Sequence, residues 1–480
     1  MLLNKSIVQN YIEPGRSRTM MIDNVDAVEL ADIYGTPLFI FSESRIVNNA
    51  KRFRTVFEER KLNTRICYAS KANSNMRILQ TVLRSGLDIE VNSGGELFKA
   101  LQAGFKPAQI VFNGVAKTVE ELQEAISARV YCINIDSLFE LKRVIQVCCS
   151  LKKRTKVAFR VVPDIKIGTH PGIETGTHNE KFGISPQDIN DAYVQALQAR
   201  EWLDVIGIHA HVGSQNTNID HYEELLKILI SYSCKIHELT GHKLLHINIG
   251  GGLPLTYIKN NEHKGSDEKG ISANFIANFD SEDIADLVLN MRCNKELIAE
   301  YGRDQVQNIQ VILEPGRSIV GDAGVLLTRI QNYKVRPESG DQWLMLDAGF
   351  NILLESFDYN WYFHCVAANR FHELHESKYR LAGPLCDGGD IFPGIDGMHR
   401  LLPEGMREDD LIAFLDVGAY TLEQMFPYNG RPCAQAVMID MQGNVVTIRR
   451  RDTYQDLIAK DVCLESAKYF GVSKSQNFMT

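Results

Sequence analysis

The sequence predicts an α/β fold, a (β/α)8 barrel joined to a second, β-rich domain. Three observations carry that expectation. Short apolar runs alternate with amphipathic stretches over more than half of the chain, and the amphipathic stretches open on helix-start signals. After about Gly324 the pattern changes to short β-like runs divided by Gly, Pro and Asn. The expected division is 45–325 for the barrel and 1–44 plus 326–480 for the β-rich domain.

Strand-like runs fall at 66–69, 87–91, 110–112, 131–135, 156–162, 205–210, 244–249 and 311–313. Between them, "TVEELQEAI" from Thr118 and "SLFELKRVI" from Ser137 place Glu three residues after Thr or Ser, the capping-box spacing that satisfies free amides at a helix start. Repeated strand-helix units with short links imply parallel pairing, because each crossover helix returns the chain to the same end of the sheet. A doubly wound open sheet fits the alternation almost as well; eight units favour closure. Beyond Gly324, "WLMLDAGF", "DLIAFLDVGAY" and "AQAVMID" read as strands, and "TPLFIFS" from Thr36 is an early strand able to pair with them. The stretch 258–272, "IKNNEHKGSDEKGIS", is polar and long, a solvated excursion or a lid.

The net charge of −8 arises from intermixed acids and bases with only short like-charged patches such as Arg449 to Arg451, which argues against nucleic acid or an anionic membrane as main partner. The 10 cysteines show neither metal-ligand spacing nor a small disulfide framework, so a reducing cytoplasm and no metal are expected. Asn4, Lys5 and Ser6 interrupt the apolar N-terminus, leaving no signal-peptide core, and no later run has membrane-spanning length.

In a parallel barrel the carboxyl ends of the strands face one mouth, where chemistry is placed. Lys71 of "YASKAN" follows the first strand; it is either a solvated loop charge or a desolvated amine with lowered pKa suited to Schiff-base chemistry. After the sixth strand, "HAHVGSQ" presents His209, His211 and Ser214. Two such histidines suit zinc, but no clear third ligand is near, whereas an imidazole can also pack on a planar cofactor and Ser214 can donate to an anion. Gly250, Gly251 and Gly252 after the seventh strand suit a tight turn or a phosphate cradle. Glu314 and Arg317 of "LEPGRS" after the eighth make either a simple ion pair or partners for a protonated ring nitrogen and a phosphate. A lysine amine, a phosphate cradle, a flat stacking group and a carboxylate for a ring nitrogen are together the requirements of pyridoxal phosphate.

The motifs "YASKAN", "NSGGEL", "HAHVGSQ", "GGG", "EPGR", "GPLCDGGD", "GAYTLEQ" and "YNGRP" span nearly the whole chain. In this order they resemble the alanine-racemase-like pyridoxal phosphate enzymes, in the branch of diaminopimelate, ornithine and lysine decarboxylases. The resemblance implies that Lys71 carries the cofactor, His211 stacks on it and Glu314 pairs with its ring nitrogen. Ser214, Gly250, Gly251, Gly252, Arg317 and Tyr420 are implied phosphate contacts, with Glu90 close behind. It further implies catalysis by Cys386 and substrate contacts from Asp387, Arg317 and Tyr428, with Cys386 and Asp387 delivered by the partner in a head-to-tail homodimer.

"CDGGD" is closer to the ornithine type and, with the polar excursion, most resembles D-ornithine/D-lysine decarboxylases; "GTHPGIETGTHNEKFGIS" is similar to the diaminopimelate type. The expected reaction is therefore decarboxylation of a basic amino acid such as ornithine or lysine to a diamine, with diaminopimelate or a larger amino-acid conjugate as the alternative. A racemase or a non-catalytic regulator fits less well, given "GPLCDGGD" and the full set of cofactor-binding groups.

Overall fold

The computed structural model describes residues 11–15, 18–168, 172, 175–259, 274–394 and 396–462. The predicted polar excursion therefore lies, beyond Lys259, outside the described residues.

A small antiparallel sheet of β1 (Ile12–Pro14), β2 (Met20–Ile22) and β3 (Val25–Asp26) comes first, followed by β4 (Leu38–Ser42) and the helix Glu43–Glu59. The barrel then runs through β5 (Thr64–Ala69), β6 (Asp88–Val91), β7 (Ile110–Phe112), β8 (Cys132–Ile135), β9 (Thr155–Arg160), β10 (Leu203–His209), β11 (His246–Asn248) and β12 (Gln310–Leu313). Each of the eight predicted runs supplies one strand. All pairings are parallel, and β12 closes on β5 with Val311 opposite Thr64 and Leu313 opposite Ile66, which excludes the open sheet. Closure removes both edges, so β7 and β8 are buried at every position; β7 reads in the sequence as an unbroken apolar run, and β8 does so except for the buried Asn134.

Thr118 forms the expected capping box, its side chain accepting from Glu121 N while Glu121 bonds back to the Thr118 amide. At Ser137 only half of the box forms. Glu140 instead accepts from the Asp136 amide at 2.7 Å through one oxygen and forms an ion pair with the buried Lys117 ammonium at 2.8 Å through the other.

The second region contains β13 (Gly324–Val335), β14 (Gln342–Leu346), β15 (Cys365–Ala367), β16 (Ser377–Ala382), β17 (Ile391–Phe392), β18 (Arg400–Leu402), β19 (Leu411–Leu415), β20 (Gln435–Ile439) and β21 (Val445–Arg449). As expected for "TPLFIFS", β4 joins this sheet, antiparallel to β13 and parallel to β20. Both faces of β4 are buried. The two-residue strand period sends Phe39 and Phe41 into the large core with Leu326 and Phe414, and Leu38 and Ile40 into a smaller core with Val325 and Leu415.

The β-rich region also reaches the barrel mouth: Asn73 Nδ2 donates to Gly418 O at 3.1 Å and Ser74 Oγ to Glu423 at 2.7 Å. Among the described residues no helix is long and apolar enough to cross a membrane.

Candidate active site

β5 ends in a short turn, Ser70–Ala72, that lifts Lys71 into a cavity of about 470 Å3 at the carboxyl ends of the strands. Such a volume suits a small ligand. Ser70 Oγ donates to Glu96 at 2.6 Å, and the Tyr420 amide donates to Ala72 O at 2.8 Å, so both domains hold the turn. Glu96, from "NSGGEL", also accepts from the Asn92 amide at 2.8 Å and thereby braces the lysine turn from the next strand.

Lys71 departs from its expected lowered pKa. Burial pulls it down, but Glu90, Tyr420 and Glu314 together outweigh burial and the repulsion from Arg160, so its pKa is raised. The ammonium form of Lys71 is therefore favoured by the acidic groups around it.

The polar groups beside Lys71 follow one positional rule. Glu90 is the penultimate residue of β6, Asn113 follows β7, Arg160 ends β9, His209 ends β10, Asn248 ends β11 and Glu314 follows β12. Strand ends at the mouth are where a barrel can hold polar groups without spoiling its apolar interior. Asn113 Nδ2 donates to Glu90 at 2.8 Å and to both oxygens of Glu314 at 3.1 and 3.0 Å, and Asn248 Nδ2 donates to Glu314 at 2.7 Å. Burial and the neighbouring Glu314 push Glu90 up to about 8, while burial also raises Glu314 against the pull of its amide donors, Lys71 and Arg160.

His209 Nε2 lies 3.6 Å from Glu314, but burial and the surrounding cations hold His209 and His211 well below the usual histidine range, so both are neutral. Arg160 lies 4.2 Å from the centre of the Phe182 ring and, with Lys181, adds positive charge to the cavity wall.

The glycine triplet meets a steric demand of its own. A Cβ on Gly251 would stand 2.1 Å from Glu314 O, and one on Gly252, whose φ is +92°, would stand 2.0 Å from Gly213 O. Only glycine lets this turn pass between the "HVGS" and "EPGR" loops. The cavity is lined by Gly251, Gly252, Ser214, His211 and Tyr420, while Gly250 lies directly beneath His211.

Arg317 also lines the cavity, but its guanidinium is engaged. Nη2 donates to Glu355 at 2.9 Å, and Nη1 donates to Glu355 at 3.3 Å and to Tyr257 Oη at 2.7 Å, while the group sits between the Trp361 and Tyr420 rings at 4.2 and 4.7 Å. Glu355 comes from the second domain with no signal in the sequence to single it out.

Cys386, Asp387 and Tyr428 are not among the residues lining this cavity. Cys386 is exposed, and its amide donates to Asn429 at 2.6 Å. Asp387 accepts from the Gly389 amide at 2.9 Å, and Tyr428 stacks near Phe350 at 5.8 Å. In "CDGGD" it is Asp390 that is buried, bonding the Phe350 and Leu385 amides at 2.8 Å each.

The site fits pyridoxal phosphate on its own geometry. Beside the lysine are buried polar atoms with no partner, namely Glu90 Oε2, both ring nitrogens of His209 and Nδ1 of His211, together with an ionisable carboxylate at the barrel centre. These are open valences around a space large enough for a flat, polar ring.

Residues 43–321 match the family model described as the pyridoxal binding domain of pyridoxal-dependent decarboxylases. The chain is 34% identical over 456 residues to the diaminopimelate decarboxylase of Methanocaldococcus jannaschii, covering 94% of this chain and 96% of the relative. The crystal structure of the M. jannaschii enzyme in co-complex with L-lysine superposes with a TM-score of 0.82 at 33% identity, covering 95% of this chain and 98% of that one. The Helicobacter pylori diaminopimelate decarboxylase complexed with L-lysine gives 0.76 at 28% identity, over 90% and 98%. Similarity over the whole chain thus weighs toward the diaminopimelate alternative rather than specifically toward the D-ornithine/D-lysine type suggested by "CDGGD". The cofactor is pyridoxal phosphate, and the chain belongs to the pyridoxal-dependent amino acid decarboxylases.

Proposed function

We propose that this enzyme removes an α-carboxylate from diaminopimelate. The observation that carries the reading is the 34% identity to a diaminopimelate decarboxylase across 94% of the chain, with the charged cluster gathered around one cavity. When bound, pyridoxal phosphate supplies an electron sink for the breaking bond at the substrate α-carbon. Lys71 is the covalent anchor, and its ammonium must lose a proton before the amine can serve. Glu314 holds a proton at the ring nitrogen, His211 covers the ring face, and Ser214, Gly250, Gly251, Gly252 and Tyr420 receive the phosphate.

Arg317 and Glu90 act from the cavity wall. Cys386 supplies a proton at the α-carbon, while Asp387 and Tyr428 meet the far end of the substrate. Because those three lie outside this chain's own cavity, their roles require a second copy, in keeping with a head-to-tail homodimer. A division at 45–325 against 1–44 plus 326–480 matches this use of two domains, the β-rich one serving the neighbour's mouth.

A second reading, decarboxylation of ornithine or lysine of either hand, is favoured by one observation. With Arg317 engaged by Glu355, the wall offers a neutral ion pair where a free guanidinium would attract a second substrate carboxylate. Carbon dioxide release from meso-diaminopimelate and from both enantiomers of ornithine, lysine and arginine separates the two. The expected outcome is a kcat/KM for diaminopimelate at least about tenfold above the others, a difference of about 1.4 kcal/mol in transition-state binding. A higher value for lysine or ornithine rejects the first reading in favour of the second.

A further inference from the structure

We propose that Asn113, oriented by Asn134, is a positioning residue for the decarboxylation, holding Glu90 and Glu314 on one amide and keeping Glu314 ionised opposite the cofactor ring nitrogen. The inference rests on Glu314 being the partner of that nitrogen.

Asn113 Nδ2 has two hydrogens and serves both acids, one bond to Glu90 at 2.8 Å and a forked one to Glu314 at 3.1 and 3.0 Å. Asn134 Nδ2 donates to Asn113 Oδ1 at 2.6 Å, which fixes the direction of the amide. A flipped Asn113 would lose that bond and turn its oxygen onto two carboxylates.

Asn134 is anchored in turn. Its carbonyl accepts from Lys117 Nζ at 3.0 Å, and that ammonium, fully buried, also bonds Gly114 O at 2.5 Å and pairs with Glu140 at 2.8 Å. A continuous line of bonds thus runs from the helix Leu138–Leu151 through β8 and the β7 loop to the barrel centre.

The charged and titratable groups facing the two acids are Lys71 after β5, Glu96 on the helix after β6, Arg160 on β9, His209 on β10, His211 just beyond it and Tyr420 from the β-rich domain; of these Glu96 adds to the repulsion at Glu90. Both histidines are neutral and donate no charge. Asn248 bonds Glu314 from the other side but does not reach Glu90. Among the described residues, Asn113 is the donor that spans both acids. Two carboxylates this close repel, and burial favours their neutral forms; a shared donor opposes both effects.

The test uses Asn113→Leu, Asn134→Ala and the double variant Asn113→Leu/Glu90→Gln in the full-length enzyme. Three quantities are read: pyridoxal phosphate affinity of the apoprotein by tryptophan fluorescence, the pH midpoint of the visible band of the bound cofactor, and the acid limb of kcat/KM. In Asn113→Leu the band midpoint and acid limb are expected to move up by about one pH unit, since loss of the donor makes Glu314 easier to protonate, with affinity reduced about tenfold. Asn134→Ala moves both in the same direction by less. Adding Glu90→Gln leaves the acid limb where Asn113→Leu placed it, because Glu90 already holds its proton below about pH 8, whereas simple loosening of the site would make the two changes add.

Wild-type midpoints in Asn113→Leu overturn the proposal. Should that variant fail to fold, wild-type midpoints in Asn134→Ala overturn it equally. Glu314→Gln is the control: if it leaves affinity and visible band unchanged, the assignment of Glu314 is what fails.

Discussion

Glu90 shows how strongly a single position depends on its surroundings. It binds its proton more tightly in the folded protein than in the unfolded chain, because burial and Glu314 push it from the usual carboxylate value up to about 8. Wild-type stability attributable to this group therefore falls as pH rises from about 4.5 to about 8, where the unfolded chain has already released the proton that the folded state retains. Glu90→Gln removes that dependence. Its stability relative to wild type is expected to rise with pH across the window, by up to about 1.4 kcal/mol per pH unit. Urea unfolding of the two apoproteins at several pH values checks this, and parallel curves would refute it. Lys71 illustrates the opposite balance: sequence context suggested a lowered pKa, yet the two acids make its ammonium the favoured state.

At the level of elements, the turn after β11 is constrained by its neighbours rather than by its own backbone alone. Gly251 lies outside the left-handed φ region, but a Cβ there would meet Glu314 O at 2.1 Å. Gly340 is the reverse, with a φ of +73° and nothing within 4 Å of its Cβ. Gly340→Ala is expected to cost about 1 kcal/mol from the left-handed backbone. Gly251→Ala should cost at least about 2 kcal/mol, because two backbones must separate, and the shift would carry Glu314 with it. Denaturant midpoints for the two variants, with cofactor affinity measured on each, test the order; equal losses would show that the contact relaxes freely. The half-formed cap at Ser137 belongs to this scale too, since Glu140 divides its two oxygens between the Asp136 amide and Lys117 and leaves the Ser137 amide unserved.

For the molecule as a whole, the exposed placement of Cys386 and its absence from the cavity lining make the shared-site proposal directly testable. Lys71→Ala and Cys386→Ala are each expected to be inactive alone. Mixed and allowed to exchange subunits, they should recover about a quarter of wild-type activity, because half of the dimers are hybrids and each hybrid has one intact site. No recovery under conditions where subunit exchange is demonstrated by mass would place Cys386 outside the chemistry or confine the site to one chain. The same scale explains why Leu38–Ser42 lies far from its partners in sequence yet central in space: β13 and β20 flank it, so an early strand completes a late sheet.

The amino-acid order by itself determined the eight barrel strands, the strand at Thr36 that joins the later sheet, and the lysine, histidine, glycine and glutamate motifs that gather at the barrel mouth. These are local signals, set by strand period, strand-end position and contiguous motifs. Asn113, Arg160 and Asn248 were legible in principle, since each is a polar residue at or just after the end of a barrel strand. The Arg317–Glu355 pair, the single amide shared by Glu90 and Glu314, and the position of Cys386 beyond the cavity were decided only by tertiary structure. Such features arise from groups tens to hundreds of residues apart brought into a buried space, where charge and proton affinity depend on the company each group keeps.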